Sequence, residues 1–384
     1  MATDIHAEHV GSLLRQPWLL AARAGHKAGQ ISEGELRATE DRAAAENIAV
    51  QRSAGIRVFT DGEVRRTNWM TGILESIGGM SEIETPAVTW HRPSGEIPPE
   101  EETDFVMTAA SAKVFQKDHL TAVEAAYMAS QVPGAFKITM MSAAMGGMTW
   151  RPEVSAEAYP DPNELVNDLV GLQVAEVSEL VALGARWVQL DSLSYNQVFD
   201  DDFRNATENP LDPKAILAAS VAADAKTVSG IKAAHPEVTV GMHICRGNNR
   251  SAYMAKGGYE PVAEQLFGAV PVDRFLLEYD DERSGGFEPL RFVRPGRWSC
   301  SVSCRRRRRP LSPRTTCGGG STRRPATCRW RTWPCRRSAG SRPPRRATCS
   351  PRMSRRPSWR WWSTPPGESG AETTWRRPPF WHPF

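Results

Sequence analysis

The feature that most constrains this chain is an alternation between residues 57 and 280. Short apolar segments, each ending in a polar or reactive residue, recur between stretches of helical character. The apolar segments are Arg57 to Thr60 leading into Asp61-Gly62-Glu63, Ala135 to Ser142, Trp187 to Asp191, Val238 to Cys245, and Phe275 to Asp280. The helical stretches include Glu164 to Leu183, closed by Gly184, Pro213 to Ala234, and Pro261 to Phe267. Upstream, Ser32 and Glu35 have the spacing of a capping box for a helix running towards Gly55. Strands buried on both faces read as apolar runs, and their alternation with helices implies a parallel sheet. Chemistry gathered at the C-terminal ends of such strands is the habit of a (β/α)8 TIM barrel, and that is the expected fold. A doubly wound open sheet is the alternative. It usually carries a glycine-rich phosphate loop after its first strand, and none is present. Residues 81–116 break the pattern with Pro-rich turns, short β-like runs and many acids, and read as a hairpin excursion or lid.

Residues 1–296 have the length and balance of one large soluble domain. They contain no apolar run of about 18 residues that would span a membrane. The N-terminus lacks the charged-then-apolar pattern of a secretory signal. A cytoplasmic enzyme is the expectation. Cys245 is the only cysteine in this part, which rules out a disulfide within it.

The chain changes character near residue 294. Residues 297–384 hold 22 Arg and no Lys against two acids, Glu368 and Glu372, a net charge of +20. With +4 over the whole chain, residues 1–296 therefore carry −16. The segment lacks Ile, Tyr, Asn, Gln and Asp, yet holds six of the seven Cys and eight of the thirteen Trp. No helical or strand period runs through it. A basic nucleic-acid-binding tail centred on Arg305 to Arg309 would mix in Lys, Gly and Ser without scattering Cys and Trp. A disulfide module conflicts with the reducing compartment implied by the cysteine-poor first part. Out-of-frame translation of a GC-rich gene accounts for the composition better. Tryptophan has the single codon TGG, so a one-base shift turns Trp361-Trp362-Ser363 into Val followed by Val or Glu. Allowed codons let Ser358 to Ser363 read LALVV, residues 333–341 read ALSPQCGF, and residues 297–304 read VVVLGLVS. These are an amphipathic helix segment, a strand ending in cysteine, and a buried strand. The expectation is a barrel over 1–296, incomplete because its last strands are replaced by an out-of-frame or disordered tail over 297–384.

Three residues in the first part suggest a metal. His243 and Cys245 stand two apart on one strand, so their side chains leave the same face. Glu278 ends the next strand and can reach the same barrel mouth. Imidazole, thiolate and carboxylate together suit zinc. The plainer reading of the pair is a core histidine and a small buried thiol. Arg246-Gly247-Asn248-Asn249-Arg250 forms a polar loop directly after them. Asp191 reads either as a cap for the next helix or as a buried carboxylate that holds a substrate ammonium group. Glu63 follows a turn and reads as a surface carboxylate or as a second such holder. Val10-Gly11-Ser12 reads as a loop whose small residues let backbone N–H groups approach a carboxylate. Arg65 and Arg66 read as solvated. Met140, Met141, Met145 and Met148 read as packing, with thioethers able to line a flat apolar pocket.

Taken together, His9-Val10-Gly11-Ser12-Leu13-Leu14-Arg15, Thr60-Asp61-Gly62-Glu63, QLD at 189–191, MHICRGN at 242–248 and FLLEYD at 275–280 resemble the cobalamin-independent methionine synthase family. The resemblance is closest to short members that consist of the catalytic barrel alone, and it covers about residues 5–294. It implies a (β/α)8 barrel that transfers a methyl group to the thiol of homocysteine, with a folate-type or corrinoid donor. Carried over by position, His243, Cys245 and Glu278 match zinc ligands, Asp191 and Glu63 match holders of the ammonium group, and Ser12 with its neighbouring backbone matches the carboxylate contact. The alternate-frame string SPQCGF resembles the family's last zinc-ligand motif, with its cysteine codon straddling Ser338 and Ala339. The chain departs from the family where Ser192-Leu193 replaces an acidic residue and proline, and again after Val293. Two rivals remain: a zinc alkyltransferase acting on another small thiol, and a non-catalytic nucleic-acid binder working through the arginine tail.

Overall fold

A computed structural model of the chain describes residues 7–66, 69–70, 76–84, 90–92, 95–96, 107–206, 212–249, 252–279, 282–294 and 298–302. In chain order these form α1 (Pro17–Lys27), α2 (Glu33–Ser53), β1 (Ile77–Ile83), β2 (His91–Arg92), β3 (Gly95–Glu96), β4 (Met107–Gln116) and α3 (Leu120–Gln131). The barrel units follow: β5 (Lys137–Met141), the short α4 (Pro152–Ser155), α5 (Pro162–Ala182), β6 (Trp187–Ser192), the short α6 (Asn196–Phe199) and α7 (Asp201–Ala206), and α8 (Pro213–Ala234). β7 (Thr239–Ile244), α9 (Glu260–Ala269), β8 (Arg274–Glu278) and β9 (Trp298–Val302) complete the described chain.

The long helices start where the sequence places stop-and-start chemistry. Ser32 Oγ accepts from Glu35 N at 3.2 Å and Glu35 Oε2 accepts from Ser32 N at 2.8 Å, the reciprocal capping box. Asp161 and Asp212 cap α5 and α8 through their side chains, each followed by proline at the first helical position. Gly184, at φ 98°, ends the turn after α5 in a conformation that costs glycine little.

β5, β6, β7, β8 and β9 lie side by side in chain order, all parallel. Their order never reverses, which excludes the doubly wound alternative, where the strand order switches direction. The fold is that of a (β/α)8 barrel, and among the described residues five of its strands pair in sequence without closing into a ring. Alternate side chains point to opposite faces. Ile138, Met140, Val188, Leu190, Val240, Met242, Phe275 and Leu277 pack outward against helix residues such as Met128, Val177, Leu180, Val228, Ile231 and Leu266. The other set, including Lys137, Thr139, Gln189, Asp191, His243 and Glu278, faces the barrel interior, and all of these are buried. The main apolar core is thus the layer between sheet and helices, and the inside of the barrel is polar.

Three expectations need adjusting. The strand read at Arg57 to Thr60 contracts to one parallel bridge, Phe59 to Phe136. On the edge away from β5, the Gln51 side chain of α2 accepts from Thr60 N at 3.0 Å and donates to Thr60 O at 2.7 Å, satisfying backbone groups that do not face β5. The excursion contains an antiparallel pair, β1 with β4, that starts at Ile77, ahead of the expected residue 81. Its inner residues 85–89, 93–94 and 97–106 lie outside the described residues. The sheet also continues past the boundary expected at 296, because β9 pairs with β8 from Trp298 to Val302. Backbone pairing needs no particular side chains, and the β8 edge offers a row of N–H and C=O groups. Arg250, Asp280 and the arginine-rich segment from 303 onward lie outside the described residues. Among the described residues no helix is long and apolar enough to cross a membrane.

Candidate active site

The parallel register of β7 and β8 sets His243 opposite Leu276. The imidazole Nδ1 lies 2.8 Å from the Leu276 carbonyl oxygen, which can only accept, so Nδ1 is the donor. In the neutral ring Nε2 then carries the lone pair, and it lies 3.8 Å from Glu278 Oε1. A second hydrogen bond of this kind is what orients histidines that bind metals. Cys245 follows β7 directly. Its Sγ accepts from Gly247 N at 3.2 Å, and its carbonyl accepts from Asn196 Nδ2 at 2.9 Å. Gly247 adopts φ 81°, a turn that lets its N–H reach back to the sulfur two residues earlier.

Glu278 is buried and held on every side. Oε1 accepts from Arg246 N at 3.2 Å, Oε2 accepts from Arg283 Nη2 at 3.1 Å, and its backbone N–H donates to the Tyr259 hydroxyl at 2.9 Å. The Arg246 guanidinium is itself fully buried, 4.1 Å from the Phe199 ring centre and 4.3 Å from that of Tyr259. One ligand atom each from His243, Cys245 and Glu278 lies within 4.8 Å of the others. Ligands of a tetrahedral ion with bonds of about 2.0–2.3 Å stand roughly 3.3–3.8 Å apart, so a contraction of about 1 Å would seat one. The donor set fits zinc: one nitrogen with a fixed tautomer, one sulfur and one carboxylate, which fill three of the four tetrahedral positions.

The other candidates gather at the same strand ends. Asp191 stands beside His243 in the register of β6 and β7. It caps no helix, since the turn after it is capped by Ser192, whose Oγ accepts from Ser194 N. Asp191 Oδ1 accepts from Gln189 Nε2 at 2.6 Å. Burial pushes its carboxyl up to about 6, against the pull of His243, and the charge of Glu63 pushes in the same direction as burial. Glu63 is not a surface carboxylate. It is 2% exposed, Oε2 accepts from Ser12 Oγ at 2.5 Å, and Oε1 accepts from Thr139 Oγ1 at 3.0 Å. Ser12 therefore meets the site through Glu63. His9 joins the same wall, its Nδ1 2.8 Å from Thr60 Oγ1, with its imidazole lowered to about 4 by burial and by Lys137.

Arg66 is a correction: it is 3% exposed, not solvated. It pairs with Glu124 Oε2 at 2.8 Å and donates to the Thr139 carbonyl at 2.8 Å. Arg65 is also mostly covered and bonds Asp41 at 2.6 Å. Met141 and Met145 do pack, together with Met70 and Leu193, in an apolar cluster that Cys245 and Met254 adjoin. Sequence reasoning missed Gln189, Thr139 and Tyr259. Gln189 had a legible signal, since it sits two residues before Asp191 on the same strand face. Tyr259 had none.

No family model matches the chain. The uncharacterized Bacillus subtilis protein YxjH is 32% identical over 296 residues, spanning 75% of this chain and 74% of its own length. A methionine synthase of Pyrococcus horikoshii is 25% identical over 271 residues, spanning 70% of this chain and 67% of its own. Among solved structures, a Listeria monocytogenes protein assigned as a vitamin-B12-independent methionine synthase superposes with a TM-score of 0.58 at 25% identity, over 78% of this chain and 80% of that one. The B12-independent methionine synthase of Shewanella sp. W3-18-1, solved with selenomethionine, shares the fold with a TM-score of 0.50 at 18% identity, over 71% of this chain and 72% of that one. With the motifs, the barrel and these likenesses in agreement, the chain belongs to the cobalamin-independent methionine synthase family and matches its short, catalytic-barrel members.

Proposed function

We propose that this chain is a zinc-dependent methyltransferase that transfers a methyl group to the thiol of homocysteine, giving methionine. The observation that carries the reading is the convergence of His243, Cys245 and Glu278 beside the buried carboxylates Asp191 and Glu63. A free thiol has a pKa of about 8.5 and is mostly protonated at neutral pH, and zinc supplies the thiolate by coordination. The chain's own residues do the rest. Asp191 and Glu63 receive the ammonium group of the amino acid, while Ser12 and Thr139 hold the Glu63 carboxylate still. The apolar Met70, Met141, Met145 and Leu193 cluster keeps water away from the sulfur side of the site. The methyl donor is of the folate type, 5-methyltetrahydrofolate or a relative, or a methylated corrinoid.

The test is product analysis on the zinc-loaded chain given homocysteine and each donor in turn. Methionine that disappears on Cys245→Ser supports the reading, and no methionine with either donor at any enzyme concentration sinks it. Turnover in this chain is expected to be weak, because the family's second cysteine ligand falls in the out-of-frame segment. A second reading, a related alkyltransferase acting on another small thiol, draws on one observation. Leu193 stands where the family carries proline, beside Ser192 in place of an acid, and it lies in the apolar cluster that Cys245 adjoins. Methylation of another thiol in preference to homocysteine would favour that reading.

A further inference from the structure

Beneath Asp191 the barrel interior holds a polar layer that the proposed reaction does not use. Lys137 opens β5 and is 1% exposed. Its Nζ donates to Glu8 Oε1 at 2.8 Å, to the His9 carbonyl at 2.7 Å and to Gln189 Oε1 at 2.6 Å. An ammonium group has three donors and no acceptor, so these contacts use it fully. Gln189 is fully buried, and its Nε2 donates to Asp191 Oδ1 at 2.6 Å. Glu8 is held from the other side by Arg274 of β8, at 3.3 Å. The N-terminal segment, β5 and β8 therefore fix one end of a chain of hydrogen bonds whose other end is Asp191.

The two ends of this chain decide how its middle is oriented. A primary amide can turn over and exchange its oxygen for its nitrogen. The Lys137 ammonium can only donate, so it must meet the amide oxygen. The Asp191 carboxylate accepts, so it must meet the amide NH2. Remove the ammonium and the amide is free to turn its oxygen towards the carboxylate, where the two would repel. Asp191 would then lose the bond that sets its plane, and the Lys137 charge that draws its carboxyl downward would go as well, an effect that Gln189→Met leaves in place.

We infer that Lys137 is a positioning residue that acts through Gln189 to hold the Asp191 carboxylate in the orientation that receives the ammonium group of an amino-acid ligand. The inference deepens the proposed function and rests on its assignment of Asp191. Lys137 touches neither the ligand nor the sulfur chemistry. It sets the direction of a group that does.

Calorimetric binding to the full chain tests this with two probes: L-methionine, and 4-(methylthio)butanoate, which is the same molecule without its amino group. Lys137→Met should weaken L-methionine binding by about tenfold, the effect of losing one charge-assisted hydrogen bond, and leave the des-amino probe within about twofold. Gln189→Met should do the same while keeping Lys137 paired with Glu8, and it carries the test should Lys137→Met fail to fold. In an Asp191→Asn background the Lys137 substitution should add nothing, because the two act in series. Equal weakening of both probes, or an effect that persists without the Asp191 charge, would overturn the inference and leave the role of Asp191 standing. If Asp191→Asn leaves L-methionine binding unchanged, or if the parent chain does not distinguish the two probes, the assignment of Asp191 fails and the inference fails with it.

Discussion

Among the described residues, Glu63 is the one residue other than glycine in the left-handed backbone region, at φ 56°. Such a conformation costs on the order of 1–3 kcal/mol and persists where the surroundings over-determine it. Here they do. Arg15 Nη2 donates to the Glu63 carbonyl at 3.1 Å and to the Arg66 carbonyl at 2.6 Å, and Arg23 reaches the Val64 and Arg66 carbonyls. The strain aims a buried carboxylate at the barrel mouth, where the proposed ammonium group would sit. Cys245 has a sharper test. Cys245→Ser should lower zinc affinity by more than about 100-fold, beyond the 10–100-fold cost of losing an outer-shell partner, as read by competition with a chromophoric chelator. Asp224 offers a pH test away from the metal cluster. It is fully buried, it accepts from the hydroxyls of Ser142 and Tyr195, and burial raises its carboxyl from 3.8 to about 6. The native state therefore keeps this proton to higher pH than the unfolded chain does, and the stability it confers is lost as pH rises from about 4 to about 6. Relative to Asp224→Asn, the parent chain should lose roughly 1–3 kcal/mol over that window and nothing further above it, as measured by urea unfolding at pH 4 and 7. His243, Cys245 and Glu278 were legible in the sequence because strand period and parallel register place them without further information. Lys137 was not, because a lysine opening a strand is ordinarily solvated, and its three partners come from residues 8, 9 and 189, which no local pattern joins.

A side-chain cap marks the start of three of the helices the sequence announced, while the fourth, α9, starts on Tyr259 without one. α2, α5 and α8 begin on Ser32, Asp161 and Asp212, whose side chains accept from the first turn. α1 and α3 begin on Gln16 and His119, which make no side-chain cap, and neither has an acid in its first turn. These two helices form because the sheet and their neighbours supply a surface: Met128 and Ala125 of α3 are fully buried in the main core. The strands were legible through their apolar bodies wherever helices cover them, whereas the Arg57 to Thr60 segment makes a single bridge to β5 and has its Thr60 backbone groups held by the Gln51 side chain. α5 gives the energetic test. Leu180 is fully buried against the sheet, whereas Leu183, at the helix end, is 36% exposed. Leu180→Ala should cost about 2–5 kcal/mol in urea unfolding, and Leu183→Ala less than about 1 kcal/mol. Similar values for the two would mean that the sheet–helix layer is not the main core.

At the scale of the whole molecule the unusual property is that charge and chemistry divide at one point. Residues 1–296 carry −16 and the clustered donors His243, Cys245 and Glu278, and residues 297–384 carry +20 and no recognisable period. β9 shows how far backbone pairing alone can extend a sheet beyond that point, and among the described residues nothing pairs with its far edge. An unpaired parallel edge is a template for association with other chains. A barrel needs consistent strands all the way round to close, and allowed codons in an alternate frame can read as apolar segments and a cysteine where the written frame supplies arginine and proline. We therefore expect one missing or extra base between the codons for Val293 and Arg297. Replacing the chain after Val293 with its alternate-frame reading should raise zinc content towards one ion per chain, tighten zinc by more than about 100-fold through the added thiolate, and abolish salt-sensitive aggregation. Metal analysis and light scattering at low and high salt would read these changes. A gene with an intact frame there, together with a parent chain that already holds one tightly bound zinc and stays monomeric, would show that the arginine-rich segment belongs to the protein and that three protein donors suffice.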